Sequence, residues 1–213
     1  EKLYSNNICL QFKGREFTYR EVCDKVRRLG RALHEMGVGK GTKVGLFMPN
    51  CPQFVVAYYG ALRAGATVVN YNPLYSEREL RHQIEDSETE VMITLALNLL
   101  YPKLKPMLDT TCLKKIVVSQ MGEALPMAKA ALFSVARAKD IADIPNDSKH
   151  IAMSELLETP PEVQTATINP DKYIAVLQYT GGTTGVPKGV VLTHANVTAN
   201  IPQCRMWFTK AVH

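Results

Sequence analysis

Apolar positions along this chain follow two periods, and the change from one to the other marks out its elements. Ile8 to Phe12 and Phe17 to Tyr19 read as short strands around the turn Lys13-Gly14-Arg15. A helix is predicted from Thr18, with Glu21 three residues on at the capping-box spacing. Val22, Val26, Leu29, Leu33 and Met36 recur on one helical face, and Gly37 stands where a left-handed residue ends a helix.

Four short apolar runs follow, Lys43 to Met48, Thr67 to Asn70, Val91 to Thr94 and Lys115 to Val118, at near-even spacing. Between the first two, Asn50 is expected to cap a helix with Pro52 in its first turn and Gly65 at its end. Phe54, Val55, Val56, Tyr58, Tyr59 and Leu62 make that helix apolar almost all round, which predicts burial. Ser76 with Glu79 repeats the capping-box spacing and opens a charged surface helix. Its Glu85 and Asp86 read as solvated, as do Asp24 and Glu88. Strands alternating with helices predict an α/β fold of three layers, a mostly parallel sheet with flanking helices. The units share no side-chain pattern, so they are not a solenoid.

The rhythm breaks at Met121. A helix-like segment, Ala124 to Ala138, precedes a polar stretch with Pro145, Pro160, Pro161 and Pro170, so 121–170 reads as an insertion or exposed connection. The helix mixes Leu125, Met127, Leu132, Phe133 and Val135 with Lys129, Arg137 and Lys139. Such a helix can pack on its own domain or lie on a membrane surface. Strands return at Tyr173 to Tyr179 and Val190 to Leu192.

Composition narrows the function classes. The 213 residues are 46% hydrophobic and 21% charged, which is ordinary for a globular chain. No apolar run is long enough to span a bilayer. A net charge of +5 suits an anionic substrate such as a nucleotide. No Lys/Arg block interleaved with aromatics points to nucleic acid. Cys9, Cys23, Cys51, Cys112 and Cys204 are scattered without C-x-x-C spacing, which predicts buried thiols in a reducing, cytoplasmic compartment. His34, His82, His150 and His213 have no ligand spacing. The chain opens at Glu1 with no signal-peptide pattern, and its numbering is expected to start inside a longer parent or after trimming.

The residues that point to chemistry are Tyr179-Thr180-Gly181-Gly182-Thr183-Thr184-Gly185-Val186-Pro187-Lys188-Gly189. Three glycines in five positions let the backbone approach a ligand closely. Three threonine hydroxyls and the backbone amides can donate to phosphate oxygens, and Lys188 adds a mobile positive charge. This is not a Walker A loop, because Pro187 precedes the lysine, Gly189 follows it, and a strand rather than a helix comes next. The loop therefore joins two strands and takes no help from a helix dipole. The next helix begins at Thr193, its expected N-cap, with His194 in the first turn as a structural residue.

The string 179–189 resembles the phosphate-loop signature of the adenylate-forming superfamily, which includes acyl-CoA synthetases, luciferases and the adenylation domains of peptide synthetases. With Leu192-Thr193-His194-Ala195-Asn196 it resembles bacterial long-chain fatty-acid–CoA ligases in particular. Val69-Asn70-Tyr71-Asn72-Pro73-Leu74-Tyr75 with Glu79-Leu80 and Ser87 is similar to a segment of the same ligases, and Phe17-Thr18-Tyr19-Arg20-Glu21 to an early motif.

The resemblance implies that residues 1–213 are an incomplete N-terminal adenylation domain. In it, 1–120 holds the strand–helix units, 121–170 an insertion, and 171–213 the phosphate loop and following helix, with a C-terminal domain absent. It implies a two-step reaction using ATP, Mg²⁺ and coenzyme A, in which a fatty acid becomes an acyl-adenylate and then a thioester. Thr180, Gly181, Gly182, Thr183, Thr184, Gly185, Pro187 and Lys188 would line the phosphate site, with Thr180 able to approach Mg²⁺ and Lys188 giving electrostatic support. The family's adenine, ribose and catalytic-lysine motifs are not in view, so no residue here is assigned as catalytic and the chain alone is expected to be inactive. Trp207 and Phe208 are expected to be exposed in it. Peripheral contact with the inner face of a membrane and a homodimer are further expectations. The alternatives are a ligase for a short-chain, aryl or amino acid, a P-loop ATPase or kinase fragment, which Pro187 disfavours, and a non-catalytic nucleotide-binding relative.

Overall fold

The computed structural model describes residues 3–161, 166–180 and 187–207. A two-stranded antiparallel hairpin, β1 (Ile8–Phe12) and β2 (Arg15–Thr18), leads into α1 (Tyr19–Glu35). The alternating part then runs β3 (Lys43–Phe47), α2 (Pro52–Ala64), β4 (Thr67–Asn70), α3 (Glu77–Ser87) and β5 (Thr89–Leu95). Two one-turn helices, α4 (Tyr101–Leu104) and α5 (Met107–Thr110), precede β6 (Lys115–Ser119). After α6 (Met127–Ala136) come β7 (His150–Ala152), α7 (Met153–Leu156), β8 (Ile174–Thr180), β9 (Lys188–Thr193) and α8 (His194–Trp207).

Seven strands form one sheet in the order β7-β6-β5-β3-β4-β8-β9. Every neighbouring pair is parallel except β8 and β9, which are antiparallel. From β4 to β7 the sheet has the doubly wound order 2-1-3-4-5, and the hairpin of β8 and β9 is added at the β4 edge. The chain steps one way from β3 to β4 and the other way from β4 to β5. Right-handed crossovers therefore place α2 and α3 on opposite faces, which gives the three layers. α1 packs on α2, and α3 on α4.

Local chemistry explains the helix ends. Thr18 and Ser76 are N-caps with complete capping boxes, Glu21 and Glu79 each returning a carboxylate to the cap. Those hydrogen bonds hold both carboxyls below the usual glutamate range. Gly37 (φ +87°) and Gly65 (φ +90°) take the left-handed conformation that ends α1 and α2. The cap of α2 is Cys51, not Asn50, and it makes no side-chain capping bond. Pro52 is best placed as the first helical residue, which puts the cap immediately before it and leaves Asn50 one position too early.

The core gathers Leu46, Phe47, Met92, Ile93 and Leu95 on β3 and β5 with Leu29, Leu33 and Ile84 on the helices, all fully buried. α2 buries only one side. Val56, Ala57, Gly60, Ala61 and Ala64 face inward, whereas Tyr59 is 54% exposed. Small residues let α2 sit close to α1: a Cβ on Gly60 would lie 2.9 Å from Leu29 Cδ2. The predicted burial all round is corrected accordingly.

The expected helix 124–138 is shorter. Pro126, in an extended conformation, starts α6 at Met127, and a 3₁₀ turn precedes it. β7, which the sequence reading did not find, pairs with β6 in parallel. Of the five thiols only Cys51 is buried, and Cys112 and Cys204 are exposed, so the expectation of buried thiols holds for one position. No helix among the described residues is long and apolar enough to cross a membrane. Trp207 is exposed as expected, and Phe208 and His213 lie outside the described residues.

Candidate functional site

The glycine-rich loop leaves β8 at its carboxyl end, the side of a parallel sheet on which ligands bind. It returns as β9, so the loop joins two strands as its sequence requires. Thr180 and Lys188 are cross-strand partners, the last paired residues among those described on either side of the loop. Directly opposed residues share a face of the sheet, so the hydroxyl and the ammonium flank one side of the loop's base. Both residues are exposed. Pro187 is half-buried. Gly181, Gly182, Thr183, Thr184 and Gly185 lie outside the described residues, as does Val186.

The next residues in register, Tyr179 and Gly189, occupy the opposite face. The Tyr179 ring lies over Gly189, where an added Cβ would stand 3.1 Å from Cε2 and Cζ. A side chain there would crowd the ring, which would have to shift by a few tenths of an ångström. Tyr179 is buried, and its hydroxyl donates to Asp86 Oδ2 on α3. Burial, reinforced by that carboxylate, pushes the phenol well above the ordinary tyrosine value. Beside this contact Ser87, Thr89 and Tyr71 share hydroxyl hydrogen bonds of 2.7–3.1 Å. A second chain runs from α3 to β8: Gln83 Nε2 donates to the Asn70 carbonyl at 2.9 Å, and Asn70 Nδ2 to Gln178 Oε1 at 2.8 Å.

The amino-terminal half of α3 borders a cavity of about 460 Å³ with Pro187 on its other wall. Tyr75, Arg78, Glu79 and His82 line it. Gln83 Oε1 and His82 Nε2 are buried and have no hydrogen-bond partner among the described residues. After β9, Thr193 caps α8 as expected: Asn196 N–H donates to Thr193 Oγ1 at 3.2 Å, and Thr193 N–H donates to Asn196 Oδ1 at 3.0 Å. His194 N–H donates to the Tyr173 carbonyl, and partial burial lowers its imidazole pKa.

The sequence reading grouped Thr180, Pro187 and Lys188 about one loop, and the structure pairs Thr180 with Lys188 at its base; the reading missed what stands behind them. Asp86 is not merely solvated, since it accepts from Tyr179. Asp24 and Glu88 are also paired, with Arg28 at 2.6 Å and Lys43 at 2.7 Å. A tyrosine at the mouth of a glycine-rich loop was the available signal for Asp86. Its partner could be named only once β8 was known to lie beside β4, more than a hundred residues away in sequence.

A family model described as "AMP-binding enzyme" matches residues 2–212. A long-chain-fatty-acid–CoA ligase of Bacillus subtilis is 37% identical over 207 residues, covering 96% of this chain and 37% of the relative. One from Escherichia coli O157:H7 is 35% identical, with 99% and 38% covered. The crystal structure of a long-chain-fatty-acid-CoA ligase from Archaeoglobus fulgidus superposes with a TM-score of 0.70 at 29% identity, over 89% of this chain and 32% of that one. An anthranilate CoA ligase bound to anthranoyl-AMP, 23% identical with a TM-score of 0.72, shares the fold. The chain thus spans somewhat over a third of the length of the curated relatives it matches. The glycine-rich hairpin on a doubly wound sheet and the match over nearly every residue agree, and the chain belongs to the AMP-binding enzyme family.

Proposed function

We propose that this chain is the N-terminal part of an acid–thiol ligase that activates a long-chain fatty acid with ATP and transfers it to coenzyme A. The observation that carries the reading is the hairpin with Thr180 and Lys188 opposed at the base of a Gly/Thr loop. In the first step a carboxylate oxygen attacks the α-phosphorus and pyrophosphate leaves. In the second the coenzyme A thiol attacks the acyl carbon, loses its proton and releases AMP. Neither step needs a covalent bond to the protein, so positioning and charge neutralisation are what the site must supply.

Lys188 stands where it can neutralise charge building on the departing pyrophosphate. Thr180 and the loop amides, with Thr183 and Thr184, orient the β- and γ-phosphates. One exposed hydroxyl fits Mg²⁺, which takes few protein oxygens and fills its shell with water and phosphate, so Thr180 would hold the ion beside the nucleotide. When bound, Mg²⁺ adds positive charge to the phosphates. The chain by itself supplies the phosphate loop and is inactive. Thioester formation by the whole protein tests this: Lys188→Ala should cut kcat/KM about a hundredfold, in the range for removing a transition-state electrostatic contact. Full activity in that variant, or turnover by residues 1–213 alone, would overturn the reading.

The same reading places the protein at the inner surface of a membrane, where its substrate resides. What supports this is α6, which buries none of its residues. Met127 is 89% and Val135 80% exposed. Phe12, Leu125, Leu132 and Phe133 line a groove of about 440 Å³ rimmed by Lys13, Lys129 and Arg137. Apolar surface under a basic rim fits anionic lipid. α6 follows β6, near the β7 edge, whereas α8 continues from β9 at the other end of the sheet. Co-sedimentation should occur with vesicles containing phosphatidylglycerol and weaken in Leu132→Asp. Equal sedimentation of both proteins would reject α6 as the contact.

A further inference from the structure

Two tyrosines stand at matching places in this sheet. Asn70 on β4 pairs with Gln178 on β8, and the residues that follow are Tyr71 and Tyr179. Each ring lies against a glycine of the strand beside its own. Tyr71 lies where a Cβ on Gly45 of β3 would come within 2.8 Å of it, and Tyr179 does the same at Gly189 of β9, at 3.1 Å. Both hydroxyls are held at the carboxyl end of α3. That of Tyr71 meets Ser87 and Thr89, and that of Tyr179 meets Asp86. The first is inside the core. The second is at the mouth of the loop, one residue before Thr180 and opposite the residue after Lys188.

The geometry has a mechanical consequence. Among the described residues β9 has one strand neighbour, β8, and its side chains are exposed from Lys188 to Val191. The Tyr179 ring therefore braces β9 from beneath at Gly189, and the tyrosine hydroxyl is tied to a different layer of the protein. We propose that Asp86 and Tyr179 are positioning residues for the phosphate site: Asp86 fixes the Tyr179 ring under Gly189, and the ring sets where Lys188 and Thr180 stand. Neither residue touches the nucleotide, since they occupy the face opposite Thr180 and Lys188. The statement about ATP rests on the function proposed above. The mechanical part does not.

The test compares Asp86→Ala, Asp86→Asn, Tyr179→Phe and the Asp86→Ala/Tyr179→Phe double variant in the whole protein, with thermal stability measured alongside. Tyr179→Phe keeps the ring and deletes one oxygen, so it should fold. Each of Asp86→Ala and Tyr179→Phe should raise KM for ATP about fivefold, the loss expected for one ordinary hydrogen bond, with KM for the fatty acid unchanged. The double variant should be no worse than the worse single, because both remove the same contact. Asp86→Asn keeps an acceptor oxygen and should restore part of the affinity. Amide hydrogen exchange at 188–193, measured without nucleotide, should quicken in both singles and no further in the double. Unchanged exchange, or losses that add in the double variant, would overturn the positioning role. If the wild-type protein makes no thioester, the function fails on its own account and the exchange data alone decide the latch.

Discussion

Helices α2 and α8 are nearly equal in length, at 13 and 14 residues, and meet their surroundings in opposite ways. α2 buries seven residues between α1 and the sheet, and its turns interlock with α1 through Gly60 and Leu29. α8 buries none, keeps Ile201, Met206 and Trp207 exposed, and carries Pro202 inside the helix. Their strands differ likewise: β3 lies in the middle of the sheet with four of its five residues buried, while β9 lies at the end with four of six exposed. One half of the molecule closes a core of its own. Among the described residues, the other half, which carries the glycine-rich loop, is held by one strand neighbour of β9, by the core residues Ala175 and Val176 of β8, by the Thr193 cap and by hydrogen bonds from α3.

Substitutions can break that contrast. The largest expected effect is in the closed half: Phe47→Ala removes a fully buried ring from the middle of the core and should cost about 3–5 kcal/mol in denaturant unfolding. A smaller loss belongs to the cap of α3. Ser76→Ala removes the acceptor for Glu79 N–H and should cost about 1 kcal/mol. The same cap gives a pH dependence. Its hydrogen bonds lower the Glu79 pKa in the folded state, so the stability it contributes is complete above about pH 4.3, the unfolded value. That contribution is lost as pH falls through the lowered value. Glu79→Gln should flatten the acid side of a melting-temperature profile in that window, and an unaltered profile would remove Glu79 from the cap's account. The smallest effect is expected on β9, where Val191→Thr should change stability by less than about 0.5 kcal/mol. A loss there as large as at Phe47 would erase the distinction between the halves.

Much of the closed half was legible in the sequence. Runs starting at Lys43, Thr67 and Lys115 begin strands there, and the run from Val91 begins two residues earlier, at Thr89. Both capping boxes form because the Ser/Thr–x–x–Glu spacing satisfies two backbone donors locally. The loop's place between two strands was legible because the apolar run Val190-Val191-Leu192 follows it directly and reads as a strand. What failed needed tertiary information. Tyr59 is apolar in sequence but faces outward, since only the pairing with α1 decides which side of α2 is covered. β7 is three half-buried residues, too short for a periodic signal, and is a strand because β6 offers it an edge. Asp86 looked like any surface carboxylate on a charged helix. Its role came into view with the β4–β8 pairing, which no local pattern encodes.

The measurement that tests the central claim most directly is carboxylate-dependent exchange between ATP and labelled pyrophosphate by the whole protein, run across fatty, aromatic and amino acids. The account expects exchange with long-chain fatty acids and its loss in Lys188→Ala. Exchange with an aromatic or amino acid alone would contradict the substrate, and no exchange with any acid would contradict adenylation itself.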